Sequence, residues 1–482
     1  MTRKSPLDLA DGALGQLVER LARSHHQRRL GRVGWSTAID PGPGLWADGG
    51  PPPRAGNAVE VLIDGTAAFQ AMVAAIADAQ SYVHITGWHI TPEFRMTRGE
   101  PPTRLRQLLA DVAARVPVRV LIWAGAPLPV LRPWRRDLRK VRAQLVAGSR
   151  IQCALDARER PMHCHHEKTI VVDGRIAFVG GIDLTSFNGD RSDTPNHPSR
   201  GALGWHDVAA RIAGPAVRDV ADNFAMRWQA TTGEVLPPVP TPAPAGSIEL
   251  QVVRTVPDGM YRQRPRGDFR ILESYLRALR AAQNLIYLEN QFLWSPEILA
   301  VLRDKLTRPP SPNFHLVLIL PAKPNNGGDD TRGQLGTLVQ LDGGQGRLLA
   351  CTLYAIGGAR DWPIYVHAKV GIVDDDWMTI GSANLNEHSL FNDTEMNVVT
   401  QDARLVRDTR LRLWAEHLQR PLDQVSGDPV SVIDRLWKPI AHEQAERRKR
   451  GERATHRLTI LPGVSRRSGL LLGPLQGLVV DA

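Results

Sequence analysis

A chain of 482 residues, 42% apolar and 23% charged, is long enough for two or three domains with sizeable cores, which excludes a mini-protein held together by disulfides. Sixty Lys and Arg against fifty Asp and Glu give a formal charge of +10, so the field favours anionic partners such as phospholipid surfaces, nucleic acid or phosphate esters. Three cysteines, Cys153, Cys164 and Cys351, without a CxxC pair argue against a disulfide framework or a structural zinc site and point to a reducing compartment.

Residues 1–57 read as a leader, with a helix over 14–22, a basic patch (Arg23, His25, His26, Arg28, Arg29, Arg32) expected on a solvated face, and then Pro- and Gly-rich coil. The start lacks the apolar run and cleavage site of a secretory signal, and no window approaches the ~18 apolar residues of a membrane span. The expected location is therefore the cytoplasm, with peripheral contact at the inner membrane face. From residue 58 short apolar strands alternate with helices: strand 59–63, helix 67–79, strand 82–86, helix 105–115, strand 118–123. That alternation predicts an α/β fold with a parallel or mixed sheet flanked by helices.

The most informative pattern occurs twice. His166-x-Lys168-x4-Asp173 is repeated 201 positions later as His367-x-Lys369-x4-Asp374, and each copy is followed by a small-residue turn, Gly180-Gly181-Ile182-Asp183 and Gly381-Ser382-Ala383-Asn384. Residues 166–172 and 366–373 read as strands, which would place each His and its Lys on one face. Asp173-Gly174 is a strong hairpin signal. Helices and strands around the two motifs correspond, and each half closes with a helix, 216–228 and 402–418. The Pro-rich run 237–246 separates a module at 58–236 from one at 247–425. Residues 426–482 then carry a basic helix over 443–453 and an apolar tail, 469–480, expected to pack on the core.

These residues resemble the phospholipase D superfamily, whose signature is the HxKx4D motif followed by Gly-Gly or Gly-Ser and then Asn or Asp. The resemblance covers roughly residues 58–420 and includes Trp205-His206-Asp207 and Glu289-Asn290-Gln291, the latter more like true phospholipases D than cardiolipin synthases. It implies two similar modules related by pseudo-twofold symmetry, with one active site between them. It also implies a phosphodiesterase that hydrolyses glycerophospholipids to phosphatidate and headgroup, with water or an alcohol as acceptor. Alternatives are cardiolipin-type phosphatidyl transfer and, less favoured, cleavage of nucleic acid.

By the same resemblance His166 is the nucleophile, forming a phosphohistidine, and His367 the acid and then base, while Lys168 and Lys369 hold the phosphate. Asp173 and Asp374 complete the motifs, closing turns more than reacting. Ser382, Asn384 and Asp183 support the site, Asp207 is expected behind His166 and Glu395 behind His367. No cofactor or metal is implied: His163-Cys164-His165-His166 looks like a metal cluster, but on a strand its side chains would alternate in direction. The basic run from Arg132 to Arg142 is expected to be a solvated helix face. The partner is a phospholipid at a membrane surface, and the chain is expected to act as a monomer.

Overall fold

The computed structural model describes residues 6–127, 132–161, 163–198, 203–323, 328–358 and 360–461. The apolar tail at 469–480 lies outside them. Among the described residues, eight strands belong to the first half: Arg54–Ile63 (β1), Val83–Gly87 (β2), Val118–Trp123 (β3), Gln152–Asp156 (β4), Thr169–Val172 (β5), Ile176–Gly180 (β6), Gly204–His206 (β7) and Val208–Ala213 (β8). Ten follow: Ile248–Val256 (β9), Asp268–Phe269 (β10), Leu285–Glu289 (β11), His315–Ile319 (β12), Leu348–Ala355 (β13), Trp362–Val366 (β14), Val370–Val373 (β15), Trp377–Gly381 (β16), Glu395–Thr400 (β17) and Leu458–Ile460 (β18).

The first sheet runs β1-β8-β6-β5-β2-β3-β4. The second runs β9-β17-β16-β15-β11-β12-β13, with β18 added at its edge. The order is the same in both, parallel only at β2-β3-β4 and β11-β12-β13, so the halves are two copies of one mixed α/β module. Their first strands, β1 and β9, pair antiparallel and join the sheets.

Alternation along the strands sorts side chains into two layers. In β5, Ile170 and Val172 face outward to Phe69, Met72 and Ile76 of the helix Asp64–Ala77. Val171 faces inward, into a core shared with Val370, Ile380 and Val398 of the second sheet and with both closing helices, Val217–Thr232 and Ala403–Leu418. Burying that shared face welds the modules together, since each apolar side chain removed from water contributes about 1.5–3 kcal/mol. Asp402 caps the second closing helix, its carboxylate accepting from the Leu405 amide.

Three expectations need correction. The N-terminal helix spans Pro6–Arg32, well beyond 14–22. Its patch is not wholly solvated either, because Arg29 bonds Asp258 and Asn392 while His26 bonds Glu297, all from the second half. The strands bearing the motifs begin at Thr169 and Val370, after the motif histidines and lysines. The reason is that the preceding backbone leaves its own sheet to bond the other module: His166 N–H donates to Thr394 O, and His367 N–H to His206 O. The basic run does form the helix Arg135–Val146, in which Arg136, Arg139 and Lys140 lie on the water side.

Candidate active site

The exchange of backbone bonds decides which carboxylate stands behind which imidazole. His166 Nδ1 lies 2.9 Å from Glu395 Oε1, and His367 Nδ1 lies 2.7 Å from Asp207 Oδ2. This reverses the pairing expected from the sequence. Glu395 begins β17 directly after Thr394, and Asp207 directly follows His206, so each carboxylate projects from the segment that the opposite motif has joined. Each imidazole-carboxyl pair is thus built from both modules.

Around these pairs the environment is buried and cationic. Both histidines and both motif lysines are buried. Burial, reinforced by the charges of Lys369, Arg191, Lys168 and His166, holds His367 well below the ordinary imidazole value. The two motif histidines and both lysines therefore act on one electrostatic site. Burial pushes Asp207 up to about 7 despite Lys369, and pushes Glu395 well above the usual carboxylate range despite Lys168 and the hydroxyls of Ser382 and Ser389.

Lys168 Nζ donates to His166 O at 2.7 Å and lies 3.5 Å from Asp183 Oδ2. Lys369 Nζ donates to His367 O at 2.5 Å and to Gln291 Oε1 at 3.2 Å. Asn384, the counterpart of Asp183, also donates to Gln291 Oε1, at 3.4 Å. Ser382 and Ser389 both donate to Glu395. Gly181 stands where the second half has Ser382, and a Cβ there would come within 2.1 Å of Asp207 Oδ1.

The motif aspartates sit elsewhere. Asp173 accepts from the backbone amides of Gln80, Ser81 and Tyr82, and Asp374 from those of Gln283, Asn284 and Leu285. Both adopt left-handed φ, 56° and 52°, in the turns that follow β5 and β15. Each closes a turn at the end of its strand remote from the motif histidine, the turn-closing place expected of it.

Arg191 was not foreseen. Its guanidinium lies 3.7 Å over the ring of Trp205, whose centroid is 4.7 Å from that of His367. It is buried, and Nε and Nη1 have no hydrogen-bond partner among the described residues, an arrangement suited to an arriving anion. Nothing in its polar loop, residues 185–198, distinguishes it in the sequence; only the fold brings it back to Trp205.

Beside the second pair lies a buried His-carboxylate group that the sequence hinted at only through Trp205-His206-Asp207 and Glu289. His206 Nδ1 is 2.9 Å from Asp64 Oδ1 and 3.2 Å from Glu416 Oε1, while His197 Nε2 is 3.2 Å from Asp64 Oδ2 and 3.0 Å from Glu416 Oε1. The remaining nitrogens face Glu289 at 2.8 Å and Asp193 at 3.0 Å. These four donors could hold a divalent cation, with the outer carboxylates orienting the rings. As a hydrogen-bonded network they favour charged imidazoles: burial opposes it, but Asp64 and Glu289 raise His206 well above its ordinary value.

Chemically, two imidazoles with fixed Nδ1 atoms, two lysines and an arginine supply a nucleophile, a proton carrier and a cradle for a phosphoryl group. The family model described as "Phospholipase D" matches residues 75–204, which hold the first motif, and "Cardiolipin synthase, PLD-like domain" matches residues 275–415, which hold the second. Phospholipase D A of Dictyostelium discoideum is 26% identical over 78% of this chain, which spans only 37% of that protein. Major cardiolipin synthase ClsA of Bacillus subtilis is 25% identical over 80% of the chain and 75% of its own length. Phospholipase D alpha 1 of Carica papaya is 23% identical, over 74% and 64%. Among solved structures, phosphatidylserine synthase of Haemophilus influenzae superposes with a TM-score of 0.51 at 12% identity, covering 81% of this chain and 94% of that one. The chain belongs to the phospholipase D superfamily, with one motif of the pair carried by each module.

Proposed function

We propose that the protein is a phospholipase D-type phosphodiesterase that hydrolyses glycerophospholipids to phosphatidate and free headgroup, and that passes the phosphatidyl group to an alcohol where one is present. The observation that carries this reading is the crossed pairing of His166 with Glu395 and His367 with Asp207 around the cations Lys168, Lys369 and Arg191. In the first step His166 Nε2 attacks phosphorus, the bond to the headgroup oxygen breaks, and His367 gives that oxygen its proton. In the second, His367 takes a proton from water or alcohol, the new oxygen attacks phosphorus, and the bond to His166 breaks. Acid-base help of this kind is worth about 10²–10⁴ in rate.

The field explains how His367 acquires its proton. Burial, and after it the charges of Lys369, Arg191 and Lys168, hold its pKa down, and a bound diester anion offsets those charges and raises it. The nucleophile's role goes to His166 on the family resemblance, and Glu395 behind it is held in place by two hydroxyls.

A second reading, phosphatidyl transfer to make cardiolipin, is favoured by the family model on the second module and by the share of the Bacillus synthase that the chain spans. Vesicles of phosphatidylcholine or phosphatidylethanolamine separate the two. The first reading expects free headgroup and phosphatidate, with phosphatidylethanol appearing when ethanol is added. Cardiolipin from phosphatidylglycerol, without headgroup release from the other lipids, selects the second. Cleavage of single-stranded DNA with no turnover of any lipid rejects both.

A further inference from the structure

The run His163-Cys164-His165-His166 does not form one cluster, because its three histidines turn in different directions to different partners. His166 meets Glu395, and His165 meets Asp156 and Thr394. His163 instead points across the module boundary to His388, with the two Nδ1 atoms 2.9 Å apart and the rings tilted by 58°. Asp393 joins them, its Oδ1 3.5 Å from His163 Nδ1. That carboxylate is fully buried and fixed by the Cys164 amide, which donates to Oδ1 at 2.8 Å.

A proton shared between two imidazoles accounts for the 2.9 Å contact and leaves the carboxylate unexplained. At 3.5 Å Asp393 is at the limit of a hydrogen bond to His163, and its Oδ2 and His388 Nε2 are buried without a hydrogen-bond partner among the described residues. Two distances of 2.9 and 3.5 Å instead bracket the separation of about 3.0–3.4 Å between neighbouring ligands on an ion with bonds of about 2.0–2.1 Å. The three donor atoms all lie within 4.8 Å of one another. The His163 side chain, 16% exposed, gives an ion a route in.

We propose that His163 Nδ1, His388 Nδ1 and Asp393 Oδ1 form a binding site for a zinc-class divalent ion, with a further coordination position left to water. Two imidazoles and one carboxylate suit Zn²⁺, Co²⁺ or Ni²⁺ better than the hard ions Mg²⁺ and Ca²⁺. The ion would tie the segment entering the first motif to the turn preceding Glu395. Because Ser389, next to His388, donates to Glu395 at 2.6 Å, occupancy would also set the partner of His166. The proposal is independent of which diester the site cleaves.

The test is calorimetric titration of metal-stripped, full-length protein with Zn²⁺, repeated with Co²⁺ and read by its visible absorption. Wild type, His163→Ala, His388→Ala and, as a control in the other His-carboxylate group, His197→Ala are compared. The expected result is one tight equivalent in wild type that weakens by at least about 100-fold in His163→Ala and His388→Ala and persists in His197→Ala. Zn²⁺ should raise the melting temperature of wild type and not that of His163→Ala. His163→Ala, altering a partly exposed side chain, keeps the test open if His388→Ala does not fold. Absence of Zn²⁺ binding to wild type, or binding of equal strength in His163→Ala, overturns the proposal; loss of the ion only in His197→Ala assigns it to the other group.

Discussion

His166 and His367 occupy equivalent places in two copies of one module, yet what supports them differs. Glu395, behind His166, receives the hydroxyls of Ser382 and Ser389, whereas Asp207, behind His367, receives the backbone amide of Val208. Lys168 faces the carboxylate of Asp183, whereas Lys369 faces the amide of Gln291. Gly181 leaves Asp207 the space that a serine fills in the other half. The two modules share the frame that brings two imidazoles together and differ in the groups that contact the carboxyl behind each ring. One fold thereby presents two similar groups in unlike surroundings.

Neutralising either carboxylate strikes at the crossing itself. Glu395→Gln and Asp207→Asn should each lower kcat by about 10³–10⁴-fold in a steady-state headgroup-release assay, the scale seen when an imidazole loses its orienting carboxylate. If each imidazole relied on its own module, Glu395→Gln would impair the functions of His367 instead. Arg191→Ala comes next, with kcat/KM expected to fall about 10²–10³-fold, the cost of one preorganised donor to a developing anion. Because Arg191 lowers the pKa of His367, the same variant should move the NMR titration of that ring upward. No upward movement would detach Arg191 from the second half.

The glycine-serine difference offers a finer probe. Ser382→Ala removes one buried hydrogen bond to Glu395 and should slow turnover by about tenfold. Gly181→Ala should slow it more, since the added methyl displaces Asp207. Equal, small effects would make the asymmetry incidental.

Much of this frame was legible in the sequence. The paired motifs, their turns and the strand-helix order are local or periodic signals, and β3 was read at its observed bounds, Val118–Trp123. The crossing was not legible, because it depends on His166 bonding Thr394 and His367 bonding His206, contacts 228 and 161 positions apart. Arg191 and the His197-Asp64-Glu416 group escaped for the same reason: each comes together only through packing of loops and helices without periodic pattern. Asp173 and Asp374 illustrate the converse, being conspicuous in the motif and remote from its imidazoles.

Their turn-closing role predicts a stability effect without a catalytic one. Asp374→Asn should cost about 1–2 kcal/mol in urea unfolding, as for loss of a capping carboxylate, while kcat changes less than about twofold. A large loss of kcat would return that residue to the reaction. The smallest expected effect concerns pH. Burial opposes a charge on His197, but Asp64 and bonds to Asp193 and Glu416 raise it from 6.5 to about 9. Its contribution to stability is full below 6.5 and fades as pH rises through 9, so the melting temperature measured with chelator should fall across that window. His197→Asn should flatten the fall; an unchanged slope would assign it to another group.

Quenching the reaction at alkaline pH during turnover of phosphatidylcholine, then mapping the adduct by mass spectrometry, bears most directly on two imidazoles sharing one phosphorus. A phosphatidyl group on His166 that is lost in Glu395→Gln is the expected result. An adduct on His367 would exchange the two roles, and absence of any adduct from both histidines during active turnover would contradict the account.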